Sequence, residues 1–316
     1  MIISASRRTD IPAFYSEWFM NRLKAGYLLT RNPFNKNQVK RVSLLSSDIE
    51  AIVFWTRNAD KLVPKLSELD SMGYAYYFQY TITGYPRPLE KSVPNPLSAI
   101  ETFKKLSDFL GPNRVLWRYD PILVSSLTDI DEHKRLFEKI AGLLHGRTKR
   151  VTISFADFYK KTERNLKAVE GLEFTDITTV PLALWNLAQF MADVASAHEF
   201  EIQTCSERID LSNCGITHGK CIDDRLLKDE FGIYASGQKD NNQREECGCV
   251  KSVDIGDYNT CLHGCSYCYA THNRELAAKN SSHHDSESPF LIGPAPENGV
   301  DAEKSQPFAE KQPLLF

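Results

Sequence analysis

An α/β fold is expected, built from repeated (β/α) units into a partial or full barrel. Six short apolar, β-branched or aromatic runs alternate with longer amphipathic ones over residues 1–205. Several of the longer runs stop at glycine, and a seventh strand-like run stands near the end of the chain. Such alternation favours a parallel sheet with helices packed outside it.

The first strand expected is IISAS (2–6), followed by the helical run AFYSEWFMNRLKAG. AIVFW (51–55) precedes DKLVPKLSELDSMG, and YAYYFQYTI (74–82) precedes PLSAIETFKKLSDFLG. RVLWRY (114–119) leads to IDEHKRLFEKIAGLLHG, and RVTISF (150–155) to PLALWNLAQFMADVASAH. FEIQT (200–204) closes the series, and CVKSVDIGDY (249–258) is the seventh strand. In the last helical run Leu184, Leu187, Met191 and Val194 follow one face of a 3.6-residue period. Gly26, Gly73, Gly111 and Gly146 sit where helices end. Trp55, Trp117 and Tyr80 read as core aromatics.

The 316 residues are 25% charged and 42% hydrophobic, an ordinary globular balance. A net charge of -3 gives no bulk attraction to nucleic acid or to an acidic membrane. No apolar run approaches the roughly 18–20 residues of a membrane span, and MIISASRRTD is unlike a secretory signal. A cytoplasmic protein is expected. Residues 1–205 form the barrel units. Residues 206–248, polar and cysteine-bearing, are expected as a small Cys-rich lobe at one end of the barrel. Residues 249–279 hold the last strand, a cysteine loop and a helix, and 280–316 form a tail expected to lack structure.

All eight cysteines follow residue 204. Clustered thiols in a reducing compartment point to metal ligation before disulfides. Within NTCLHGCSYCYA (259–270), Cys261, Cys265 and Cys268 form a C-x₃-C-x₂-C array. Zinc would need four tetrahedral ligands, with Cys265 and Cys268 as one pair and Cys247 and Cys249 as the other. A fully ligated iron–sulfur cluster would also take four thiolates. Three thiolates on a cubane would leave one iron open to chelate a substrate.

The spacing C-x₃-C-x-Tyr-C resembles the signature of the radical S-adenosylmethionine superfamily. That resemblance implies a [4Fe–4S] cluster on Cys261, Cys265 and Cys268, with Tyr267 beside the adenine of S-adenosylmethionine. It also implies a reducing electron donor and hydrogen abstraction by a 5′-deoxyadenosyl radical. The whole chain, through SxDIGxYNTCxHGCxYCYA, resembles a bacterial family of unknown function noted for this cluster, and GCSYCYA is similar to the spore photoproduct lyase branch, which repairs DNA. The superfamily's array usually follows the first barrel strand; here it follows the last. The resemblance therefore implies a circularly permuted barrel with IISAS beside the array's strand, since compact domains tolerate such rearrangement. It also places SRRTD where a Gly-Gly-Glu-type contact to the cofactor's amino group is usual. Ser6, Thr9 or Asp10 would substitute, unless Asp10 simply caps the next helix. The competing class is a non-catalytic protein whose thiols hold zinc or a cluster and present a surface to nucleic acid or protein.

Reacting groups gather at the C-terminal ends of parallel strands. Those ends offer Arg7, Arg8, Thr56, Arg57, Gln79, Thr81, Arg118, Asp120, Ser154, Asp157 and Cys205. Arg118 in RYDP suits a cofactor carboxylate, unless it pairs internally with Asp120. Cys205, Cys221, Cys247 and Cys249 are candidates for a second, auxiliary iron–sulfur cluster or for zinc, with Cys214 a further thiol nearby. At the chain's tip Gln312, Leu315 and Phe316 resemble the Gln-x-x-Leu-Phe motif that docks on the DNA sliding clamp, from which Pro313 and Leu314 depart. His283 and His284 are expected to face water.

Overall fold

The structure is a computed structural model and describes residues 1–33 and 35–293, the side chain of Lys36 excepted. In chain order the strands are β1 (Ile2–Ala5), β2 (Tyr27–Asn32), β3 (Asn35–Ser43), β4 (Ala51–Thr56), β5 (Tyr76–Thr81), β6 (Val115–Ile122), β7 (Val124–Ser125), β8 (Arg150–Phe155), β9 (Phe174–Thr175), β10 (Glu201–Thr204), β11 (Thr217–His218) and β12 (Val253–Asp254). The helices are α1 (Ile11–Phe14), α2 (Ser16–Ala25), α3 (Leu66–Ser71), α4 (Pro96–Leu110), α5 (Ile130–Leu144), α6 (Lys160–Lys167), α7 (Pro181–Ala197), α8 (Asp224–Phe231) and α9 (Arg274–Ser282).

Eight strands form one parallel sheet in the order β11–β10–β8–β6–β5–β4–β1–β12. Starting at β12, each next neighbour is the next sheet strand along the chain. Only β12 is out of sequence, and β11 and β12 form the sheet's edges. Steps that always advance in one direction put their crossover helices on one face. Ile3, Ile52, Phe54, Phe78, Trp117 and Ile153 point to that face and share one core with Leu184, Leu187 and Met191 of α7.

The opposite face is covered differently. Ile2, Ala51, Val53, Tyr77 and Leu116 pack against Ile222, Leu226, Leu227, Cys221, Cys247 and Cys249. Residues expected as a lobe at one end of the barrel thus lie across the sheet. The sparse apolar residues of 221–250 need a surface to bury them, and the alternate side chains of the strands supply it. Tyr77 Oη and Gln79 Nε2 fasten this cover by donating to Cys221 O at 2.7 and 2.8 Å.

The join between chain ends is well specified. Ile3 pairs with Val253 and Ser4 with Asp254 in parallel register. The Asp254 carboxylate accepts from Ser4 Oγ at 2.9 Å, Ser6 Oγ at 2.5 Å and Arg7 N at 2.8 Å. Thr9 Oγ1 donates to Asp257 O at 2.8 Å, and Tyr15 Oη to Thr260 O at 2.7 Å. Gly256 allows this close approach: a Cβ there would stand 2.7 Å from Ser6 Cβ and 2.9 Å from Thr9 Oγ1.

Other differences from expectation have local causes. The first helical run breaks at Tyr15 into α1, capped by Asp10, and α2. Pro64 lies in a 3₁₀ turn, so the next helix begins only at Leu66. The antiparallel β2–β3 hairpin escaped the strand–helix reading. Residues 280–293, expected to lack structure, are packed on the fold, because SPFLI (288–292) supplies apolar groups for burial. Trp18 Nε1 donates to Ser288 O at 2.9 Å, and Phe290 and Leu291 are buried. His284, expected in water, packs its ring 4.7 Å from Tyr15. Gln312, Leu315 and Phe316 lie outside the described residues. Among those described, no helix is long and apolar enough to cross a membrane.

Two stability tests follow from this packing. Gly256→Ala should cost about 1–3 kcal/mol in denaturant unfolding, since its methyl overpacks the join. His133 is buried between Tyr119 Oη at 2.9 Å and Leu123 O at 3.0 Å, and burial lowers its pKa to about 4. The native state holds the neutral ring, so stability present above about pH 6.5 should fall as pH drops toward 4. His133→Gln should flatten that dependence in unfolding curves measured across the interval.

Candidate functional site

At the C-terminal ends of the parallel strands, on the covered face, lies a cavity of about 380 Å³. Cys261, Cys265 and Cys268 line it, as do Cys205, Cys247 and Cys249. Cys221 is buried and touches Cys205. Cys214 stands apart, packed against the helix-side core. All eight thiols are free.

The first thiol set lies on a loop held between β12 and the segment after β5. Ser92 N donates to His263 O at 2.8 Å and Ser266 N to Leu89 O at 2.9 Å. Glu90 and Cys265 form an antiparallel bridge. Gly264, at φ +68°, turns the chain between Cys261 and Cys265 in a conformation L side chains resist. Thr271 N donates to Cys268 Sγ at 3.3 Å, leaving that sulfur as an acceptor. Burial raises the Cys261 thiol well above its usual pKa and pushes Cys265 up to about 12, against the pull of Arg57.

Tyr267, expected beside an adenine, lines the cavity but is buried. Its ring meets Tyr85 edge-on at 5.9 Å. Its hydroxyl donates to Glu90 and accepts from Arg57 Nη2 at 2.7 Å. Glu90 also takes Arg57 Nη1 at 2.8 Å and Thr83 Oγ1 at 2.6 Å. Burial opposes the Arg57 charge, but Glu90, Tyr267, Cys265 and Asp120 together more than offset it and raise the pKa.

The second set joins separate segments: the end of β10, the turn before α8 and the chain ahead of β12. Cys221 Sγ donates to Cys205 Sγ at 3.1 Å. Cys221 and Cys247 are raised as donors in sulfur hydrogen bonds and by burial, while Cys205 and Cys249 are lowered as acceptors. Arg118 Nη1 reaches Cys221 Sγ at 2.7 Å. Arg7 and Arg118 both stack on Trp55, at 5.2 and 5.1 Å. Among the described residues, no three His, Cys, Asp or Glu side chains are set to hold a single metal ion.

Several residues expected to contact a cofactor make hydrogen bonds within the protein. Arg118 pairs with Asp120 through Nε at 3.0 Å and through Nη2, so the internal pairing is the one observed. Asp120 also accepts from Ser154 Oγ, and its carboxyl is lowered: burial opposes the charge, and Arg118, the Ser154 hydrogen bond and Arg57 together outweigh it. Ser6 and Thr9 bind the β12 segment. Asp10 caps α1 through Ala13 N at 3.0 Å and accepts from Thr56 Oγ1 at 2.8 Å, Arg57 N at 2.7 Å and His263 Nε2 at 2.7 Å. Each still borders the cavity, but with side chains already paired.

Glu90, His263, Glu207 and Arg244 escaped the sequence reading because they lie on loops beyond the strand ends. Burial pushes Glu207 up to about 8, leaving a neutral acid on the cavity wall that accepts from Phe155 N at 2.7 Å. Arg244, from the covering segment, pairs with Asp157 and Tyr159 across the rim. The histidine inside CLHGC was the one legible hint.

A family model described as a domain of unknown function, DUF1848, matches residues 2–270. The chain belongs to that family. No curated protein and no solved structure matches it. The DUF1848 domain includes both thiol sets and the β1–β12 join, so cavity and join fall within one family unit.

Arg57→Met should destabilise the domain by about 3 kcal/mol or more, because Glu90 would keep a buried charge without its partner. Thr83→Val should cost about 1 kcal/mol. Urea titrations of both variants check the ordering.

Proposed function

We propose that this chain is a radical S-adenosylmethionine enzyme on a permuted (β/α) sheet, with Cys261, Cys265 and Cys268 as ligands of a [4Fe–4S] cluster. One observation carries the reading: three thiols of one loop open on a cavity at the strand ends, just after β12, the strand that precedes β1 in sheet order. A cluster so held, with one iron left open, supplies the electron that cleaves S-adenosylmethionine to a hydrogen-abstracting 5′-deoxyadenosyl radical.

The donor set fits that group. The three side chains are thiols, and Thr271 N–H already points at Cys268 Sγ, as suits a thiolate sulfur. His263 Nδ1 is buried without a hydrogen-bond partner within the same loop.

The chain's own residues would hold and shape the site. Glu90 and Arg57 fix Tyr267 so that its ring keeps one position on the cavity wall. Asp10 orients His263 and ties the loop to the start of α1. The Arg118–Asp120–Ser154 chain adds a hydrogen-bonded polar surface to the cavity lining. The likeness of GCSYCYA to the spore photoproduct lyase branch makes a DNA-linked substrate the first to try.

Protein reconstituted anaerobically with iron and sulfide should release 5′-deoxyadenosine from S-adenosylmethionine when dithionite is added. Cys265→Ala should lose that product and about four irons per chain. Damaged DNA would be tested as a co-substrate by its effect on product yield. Iron-loaded protein that yields no 5′-deoxyadenosine, or zinc on the three thiols, would overturn the assignment.

A further inference from the structure

We infer that Cys205, Cys221, Cys247 and Cys249 bind a second iron–sulfur cluster, clasped between the sheet and the segment that covers it. The four thiols come from β10's end, the turn before α8 and the chain ahead of β12; Cys205, Cys247 and Cys249 line the cavity, and Cys221 lies buried against Cys205. Nothing in local sequence brings Cys205 and Cys249 together; the cover laid across the sheet does.

Their surroundings are built for a negatively charged, sulfur-rich group. Two guanidinium groups, Arg7 and Arg118, stack on the same indole, Trp55. Arg118 already donates to Cys221 Sγ at 2.7 Å. Arg7 lies within electrostatic reach of Cys249 and Cys247. Yet Arg7 Nη2 is buried with no acceptor, and so is Trp55 Nε1. Both border the same cavity. Buried donors are almost always paired, so two orphans beside four thiols mark a missing acceptor. Thiolate and sulfide sulfurs of a cluster supply acceptors and negative charge together.

A mononuclear zinc would set the sulfurs around one point. A cubane gives each iron one thiolate, so its ligands surround the cluster instead of sharing a centre. On binding, the S–H protons leave, and the Cys221–Cys205 contact opens as each sulfur takes its own iron. The cover would then be tied to the sheet by metal–sulfur bonds in addition to packing.

The test uses the full chain with Cys261→Ala, Cys265→Ala and Cys268→Ala, so failure of the reading above leaves it intact. Ferric iron, a thiol reductant and sulfide added anaerobically should load about four irons per chain, with an electron paramagnetic resonance signal on further reduction. Adding Cys205→Ser and Cys249→Ser should reduce iron to background. Arg7→Met keeps every thiol; it should retain the iron but move its reduction potential more negative, which loss of packing alone does not explain. Protein that takes up no iron, takes zinc in its place, or keeps its iron after Cys205→Ser and Cys249→Ser overturns the inference.

Discussion

One parallel strand pair, β1 with β12, governs the arrangement of this molecule. Its residues lie about as far apart in sequence as the domain allows, so the pairing gains nothing from local chain geometry. Its specificity comes from a carboxylate: Asp254 collects donors from Ser4, Ser6 and the Arg7 backbone. A half-buried carboxylate left without donors is costly, so register and polar satisfaction are the same requirement. Thr9 and Tyr15 extend the join toward the cysteine loop. Ser6 and Thr9 therefore hold the chain's two ends together, and through them the position of three thiols.

The two faces of the sheet do different work. The helix side is apolar and conventionally packed. The other face changes character along each strand: Ile2, Ala51 and Leu116 near the beginnings are apolar, while Arg57, Arg118, Asp120 and Ser154 crowd the ends. Charges so placed are expensive to bury unless paired, and the Arg57–Glu90 and Arg118–Asp120 pairs meet that demand. Such pairs do more to fix side-chain positions than to stabilise the fold, and they surround the cavity where both cysteine sets converge.

Much of the scaffold was legible in the chain. Runs such as AIVFW and RVTISF became parallel strands because β-branched and aromatic residues suit a sheet buried on both faces. The stripe of α7 was readable from its period. The missed elements had weaker local signals: the β2–β3 hairpin carries little apolar alternation, and α1 is too short for periodicity. The order of residues 283–293 rests on a few apolar side chains that found a partner in Trp18 and β2, a contact with no counterpart in the local pattern.

The array Cys261–Cys265–Cys268 is set by covalent spacing alone, so any fold that accommodates the loop keeps those thiols together. Strand and helix positions are likewise local consequences of side-chain shape and period. Pairing was decided at long range. Whether Arg57 met Glu90, His263 met Asp10 and Cys205 approached Cys221 all depended on which segments the fold brought together. Hydrogen-bond partners and buried charges are properties of neighbours in space, and only folding brings those neighbours together.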